Sequence, residues 1–198
     1  MEEAVARFRE LAIAAARNPA FIHHRWYVDH HLLIVERIAD ELCAHYAQAD
    51  ATLVRVLVWL HDYGKAIDRV NERVATLTRG RAALLTSGFP AEFVQRAMWC
   101  YERFETHATL ADAPLEVRIV SSADGAAHLV GPFYALWWYE NPQRPIAVLL
   151  SDNRRKALLD WDHKIVLPEV RAAFAARHRL LLETCGDFPE SFLSPPLS

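Results

Sequence analysis

A chain of 198 residues, 53% of them apolar, can build one domain with a sizeable core and is too apolar to remain disordered. Its formal charge is −3 and its sequence pI about 6.4, which excludes a nucleic-acid binder working through a broad basic surface. A small anionic ligand, which needs only local positive charge, stays open.

The opening stretch MEEAVARFRE is charged, lacks the apolar region of a signal peptide, and begins a helix expected over 3–17. Further helices are expected over 30–48, 51–67, 69–86, 90–104, 115–129 and 163–184, because apolar residues recur three and four apart. Asn18-Pro19, Ser87-Gly88, Ala113-Pro114, Gly131-Pro132 and Asn141-Pro142 punctuate them. Asp29 is a candidate cap for the second helix and Gly186 a stop for the last. The expected fold is all-α: a metal-binding helical domain over 1–140 and a helical extension over 141–198 packed on it. The run SDNRRK, 151–156, reads as a solvated loop or helix start. The aromatic run LWWYE, 136–140, reads as packing for an added helix, with stacking on a ligand ring as the alternative. In the tail, Val170, Phe174, Arg177 and Leu181 form an imperfect stripe, expected to pack on the main domain or to serve a homodimer contact.

Cys43, Cys100 and Cys185 are odd in number and far apart, as expected of reduced thiols in a cytoplasmic protein. No apolar run reaches membrane-spanning length, so neither membrane nor nucleic acid is an expected partner.

Three polar interruptions of apolar stripes carry the chemistry. In RVLVWLHDYGKAID, 55–68, the face of Val54, Leu57 and Val58 continues at His61 and Asp62, where two more apolar residues belong. In FIHHRWYVDHHLL, 21–33, His31 leads the unbroken stripe Val35, Ile38, Ala39 and Leu42, whereas His30 leads a mixed face. His23, His24 and His30 read as surface or structural rings, with His24 the best placed of the three to reach a pocket. In EVRIVSSADGAAHL, 116–129, Asp124 shares the face of Val117, Val120 and Ala127. His128 follows one turn later and could line the same cleft, although a core hydrogen bond or an exposed ring is the ordinary role.

Buried carboxylates need partners. One divalent ion shared by His31, His61, Asp62 and Asp124 would satisfy them all. Two imidazoles and two carboxylates suit Mn²⁺, Fe²⁺, Co²⁺, Ni²⁺, Mg²⁺ or Zn²⁺, with coordination left for water and substrate.

These residues, in this order, resemble the HD-domain metal-dependent phosphohydrolases over roughly 20–130. LHDYGK, 60–65, looks like the family's His-Asp doublet followed by Gly-Lys, the His31 helix like its leading helix, and SSADG, 121–125, like its final-aspartate segment. The resemblance implies an all-helical fold, one metal at His31, His61, Asp62 and Asp124, and cleavage of a phosphate ester or anhydride of a small molecule, nucleotides among the candidates. Lys65 would contact phosphate, and Asp68 would support the ligands or accept a proton, surface solvation being its ordinary role. Binuclear members carry additional histidines between the doublet and the last aspartate. The interval 63–123 holds only His107 here, so a mononuclear site is expected and metal-dependent oxygenation is disfavoured. The alternative function is a metal- and metabolite-binding sensory module with little turnover.

Overall fold

A computed structural model describes residues 1–193, apart from the side chains of residues 107–109. Among the described residues every regular element is helical, as expected. The centre is α3 (Ala51–Leu60), whose residues from Leu53 to Leu60 are buried except Arg55. A helix apolar on nearly all sides must be surrounded, and α1 (Glu2–Ala16), α2 (Leu33–His45), α7 (Ala91–Glu105) and α8 (Leu115–Ala127) pack around it. Asp50 caps it by accepting from the Leu53 amide at 3.1 Å.

Helix α2 is entered through a wide i→i+5 turn, Val28–Leu32, which carries His31. Asp29 lies inside this turn and pairs with Arg17 at 3.2 Å, correcting its expected role as a cap: the helical backbone already includes Tyr27. The helix expected over 51–67 breaks after Leu60, because Asp62 leaves helical geometry, and resumes as the short α4 (Tyr63–Ile67). That over 69–86 is divided into α5 (Glu72–Ala75), a second wide turn at Thr76–Gly80, and α6 (Arg81–Ser87). Gly64 lets α4 sit on this pair. A Cβ there would fall 2.0 Å from the Glu72 carbonyl, and the Gly64 amide donates to Thr76 Oγ1 at 3.0 Å.

Two helices went unassigned in the sequence, α9 (Phe133–Glu140) and α10 (Ile146–Leu159). SDNRRK lies within α10, not in a solvated loop. Asn153 is buried, Asp152 takes Arg144 at 2.6 Å, and Lys156 takes Asp160 at 3.0 Å, so internal pairs absorb the charges. A third wide turn, Asp160–Lys164, joins α10 to α11 (Pro168–Thr184). Trp161 stacks on His178 of α11 at 4.3 Å, and Val170 belongs to the main core. Gly186, at φ 96°, ends α11 as expected, with the amides of Gly186 and Asp187 donating back to Glu183 and Leu182. Among the described residues no helix is long and apolar enough to cross a membrane.

Segment 160–167 crosses α8 on the face SSADG. Ser121 Oγ donates to the Lys164 carbonyl at 2.9 Å, and Ser122 Oγ accepts from the Val166 and Leu167 amides, both at 3.1 Å. Gly125 leaves room for the crossing, since a Cβ there would lie 2.8 Å from Ile165 Cγ1 and 3.1 Å from Lys164 Cβ.

Candidate metal centre

His31, His61, Asp62 and Asp124 meet. His31 comes from the wide turn before α2, His61 and Asp62 from the break between α3 and α4, and Asp124 from α8. His31 Nε2 lies 3.6 Å from Asp62 Oδ2 and 3.4 Å from Asp124 Oδ1. His61 Nε2 lies 3.3 Å and 3.7 Å from the same two oxygens. His61 Nδ1 faces the Val58 carbonyl at 2.7 Å, which holds the proton on Nδ1 and turns the Nε2 lone pair inward.

His128 joins them. It is buried, and its Nε2 lies 3.5 Å from Asp124 Oδ1. The donor atoms of His31, His61 and Asp62 lie within 4.8 Å of one another, as do those of His31, Asp124 and His128, so the buried cluster could hold a metal ion.

The fit to a cation is chemical as well as geometric. Both ring nitrogens of His31, and Nε2 of His61, are buried without a hydrogen-bond partner. A buried nitrogen left so costs about 1–3 kcal/mol. Burial pushes His31 toward its neutral form against the pull of Asp62 and Asp124, preserving a ring able to donate a lone pair. Burial acts the same way on His61, but there Asp62 and Asp124 prevail and raise its proton affinity: they attract whatever cation is at hand. Burial alone would protonate both aspartates. Lys65 and His61 hold Asp62 well below the usual carboxylate range, and above all Lys164 does so for Asp124. Asp62, Glu72, Glu105 and Asp124 line the same cavity as Lys65, Lys156 and Lys164.

Lys65 Nζ lies 3.3 Å from both Asp62 oxygens and 3.1 Å from the Tyr27 hydroxyl, which itself donates to Asp62. Asp68 is not brought to the cluster. Its carboxylate accepts from Val70 and Asn71, bracing the loop after α4. His24 is not the ring that reaches a cleft: its Nδ1 turns to the Phe21 carbonyl, whereas His23 is buried against Glu140 at 2.6 Å and lines the cleft. His30 is exposed, as expected. The side chain of His107 falls outside the described residues.

Sequence reasoning missed Tyr27, Lys156, Asp160 and Lys164, and left His128 in an ordinary role. Only His128 gave a signal, its place one turn after Asp124.

His61, Asp62, Asp124 and His128 line a cavity of about 170 Å³. Tyr27, Lys65, Phe133 and Lys156 are shared with a wider cleft of about 400 Å³, walled by Trp26, Tyr134 and Trp137 and by Arg144 and Arg155.

The fold and site define an all-α protein with a buried His/Asp cluster that could hold a metal ion, next to a basic, aromatic cleft. No protein-family model, no curated protein and no solved structure matches the chain.

Proposed function

We propose that the protein is an HD-type metal-dependent phosphohydrolase that cleaves a phosphate ester or anhydride of a small molecule. The observation that carries the reading is the pair of unpartnered imidazole nitrogens, on His31 and His61, facing two ionised aspartates at the base of a lysine-lined cleft.

His31, His61, Asp62 and Asp124 would hold the cation, Tyr27 and Lys65 fixing Asp62 and Lys164 fixing Asp124. A divalent ion so held supplies Lewis acidity toward phosphoryl oxygens and a water whose pKa falls toward about 7. Lys65 and Lys156, common to both cavities, stand where a phosphoryl group entering from the cleft would pass, and their charge offsets the negative charge spread over its oxygens during transfer. The rings of Trp26, Phe133 and Trp137 receive the remainder of the substrate and exclude water from one side. Nucleotides and sugar phosphates both suit a cleft of this size.

The test is a phosphate-release screen over nucleotides and sugar phosphates with Mn²⁺ present, on wild type and Asp62→Asn. Release by wild type that falls at least about 100-fold in the variant supports hydrolysis. Mn²⁺ and ligand binding without release from any compound would replace the reading with a metabolite-binding module.

A further inference from the structure

His128 is a buried ring at the cluster that the four-residue metal set does not use. Its Nδ1 lies 2.8 Å from Asp160 Oδ2, and Lys156 Nζ lies 3.0 Å from the same carboxylate oxygen, an ion pair with Asp160. An ionised carboxylate only accepts, so the ring proton sits on Nδ1 and Nε2 carries a lone pair. That lone pair faces Asp124 Oδ1 at 3.5 Å. Two acceptors facing each other across this distance repel unless something positive lies between them. The Nε2 atoms of His31 and His61 face the same oxygen, at 3.4 and 3.7 Å. Three rings from three parts of the chain thus converge on one carboxylate oxygen. Stacking of His128 on His31, with ring centres 4.9 Å apart and planes 12° apart, sets their edges side by side.

We propose that His128, aimed by Asp160, is a fifth protein donor to the cation, making this a three-imidazole, two-carboxylate centre that selects a transition metal over Mg²⁺ and Ca²⁺. The inference rests on the metal-centre reading above. Imidazole suits Mn²⁺, Fe²⁺, Co²⁺, Ni²⁺ and Zn²⁺, whereas Mg²⁺ and Ca²⁺ take oxygen ligands, so each added ring shifts preference toward the former. Asp160 acts through His128 as a positioning residue: a carboxylate on the far nitrogen of a ligating histidine fixes its tautomer and raises its basicity.

Co²⁺ titration of the metal-free full-length protein, read by visible absorption and by competition with Mg²⁺, tests this. Wild type is expected to bind Co²⁺ and to resist displacement by Mg²⁺. Asp160→Asn keeps every donor and should weaken Co²⁺ binding by about 10- to 100-fold. His128→Ala should weaken it at least as much, change the absorption bands, and recover them when free imidazole is added, which a ring with a merely structural role would not do. If His128→Ala fails to fold by circular dichroism, His128→Gln and Asp160→Asn carry the comparison. Wild-type affinity and bands in these variants, alongside lost binding in His61→Ala, would overturn the fifth donor and leave the four-residue centre standing. A wild type that takes up no Co²⁺ would overturn both.

Discussion

Lys164 Nζ lies 2.6 Å from Oδ2 of Asp124, while Oδ1 of the same carboxylate faces the three histidines. One aspartate is thus divided between a fixed protein cation and a prospective metal position. Burial opposes a charged lysine here, but Asp124 and Asp160 raise its proton affinity above the ordinary lysine value, so it stays charged throughout the physiological range.

This division makes the stability of a Lys164→Met variant depend on metal. Removing one partner of a buried ion pair typically costs about 3–5 kcal/mol, because the other charge is left uncompensated. Without metal we expect a loss of about 3 kcal/mol, read as a lower urea midpoint in EDTA. With saturating Mn²⁺ the ion offsets Asp124, and the loss should shrink by at least about 1 kcal/mol. An equal loss under both conditions would show that Lys164 contributes packing alone.

The elements that could be read from the sequence were those with a period. His31, His61 and Asp124 announce themselves because each stands where an apolar stripe calls for another Leu or Val, and such a placement implies a buried partner. The break after Leu60 was hidden, because VLVWLHD keeps a helical pattern even where Asp62 leaves helical geometry. Helix α9 escaped because FYALWWYE is apolar or aromatic on nearly all sides and offers no stripe. Lys156, Asp160 and Lys164 escaped for another reason. Their local sequence is that of a solvated surface, and only the tertiary crossing of 160–167 over α8, which carries the end of α10 with it, brings them to the cluster. Ser121, Ser122 and Gly125 held the trace of that crossing: a helix face of small residues invites close approach, but nothing in the sequence names the visiting segment.

Acidification should destabilise the metal-free protein through His128. Burial, reinforced by Lys156, pushes this ring down to about 3 against the pull of Asp160 and Asp124. An unfolded histidine titrates near about 6.5. As pH falls from there, the unfolded chain takes up the proton first, and stability is lost until the folded value is reached. One such group contributes about 1.4 kcal/mol per pH unit inside that window. Urea midpoints in EDTA, between about pH 6 and about pH 4.5, should therefore fall more gently in His128→Gln than in wild type. Parallel curves would mean that His128 accepts its proton in the folded state as readily as in the unfolded one.

Gly125→Ala sets two effects against each other. Alanine in a helix interior is favoured over glycine by about 1 kcal/mol. Here the added Cβ would meet Ile165 Cγ1 at 2.8 Å and Lys164 Cβ at 3.1 Å. Both neighbours belong to a segment pinned to α8 by Ser121 and Ser122, so neither can retreat without disturbing hydrogen bonds at 2.9 and 3.1 Å. Overpacking of this kind costs about 1–3 kcal/mol. We expect the clash to prevail, with a net loss of roughly 1 kcal/mol in urea unfolding. The same displacement draws Lys164 from Asp124, so the variant should also bind Mn²⁺ with altered affinity, unlike a substitution that only loosens packing elsewhere. A gain in stability with unchanged Mn²⁺ binding would show that segment 160–167 rests on α8 less closely than its contacts with Ser121, Ser122 and Gly125 imply.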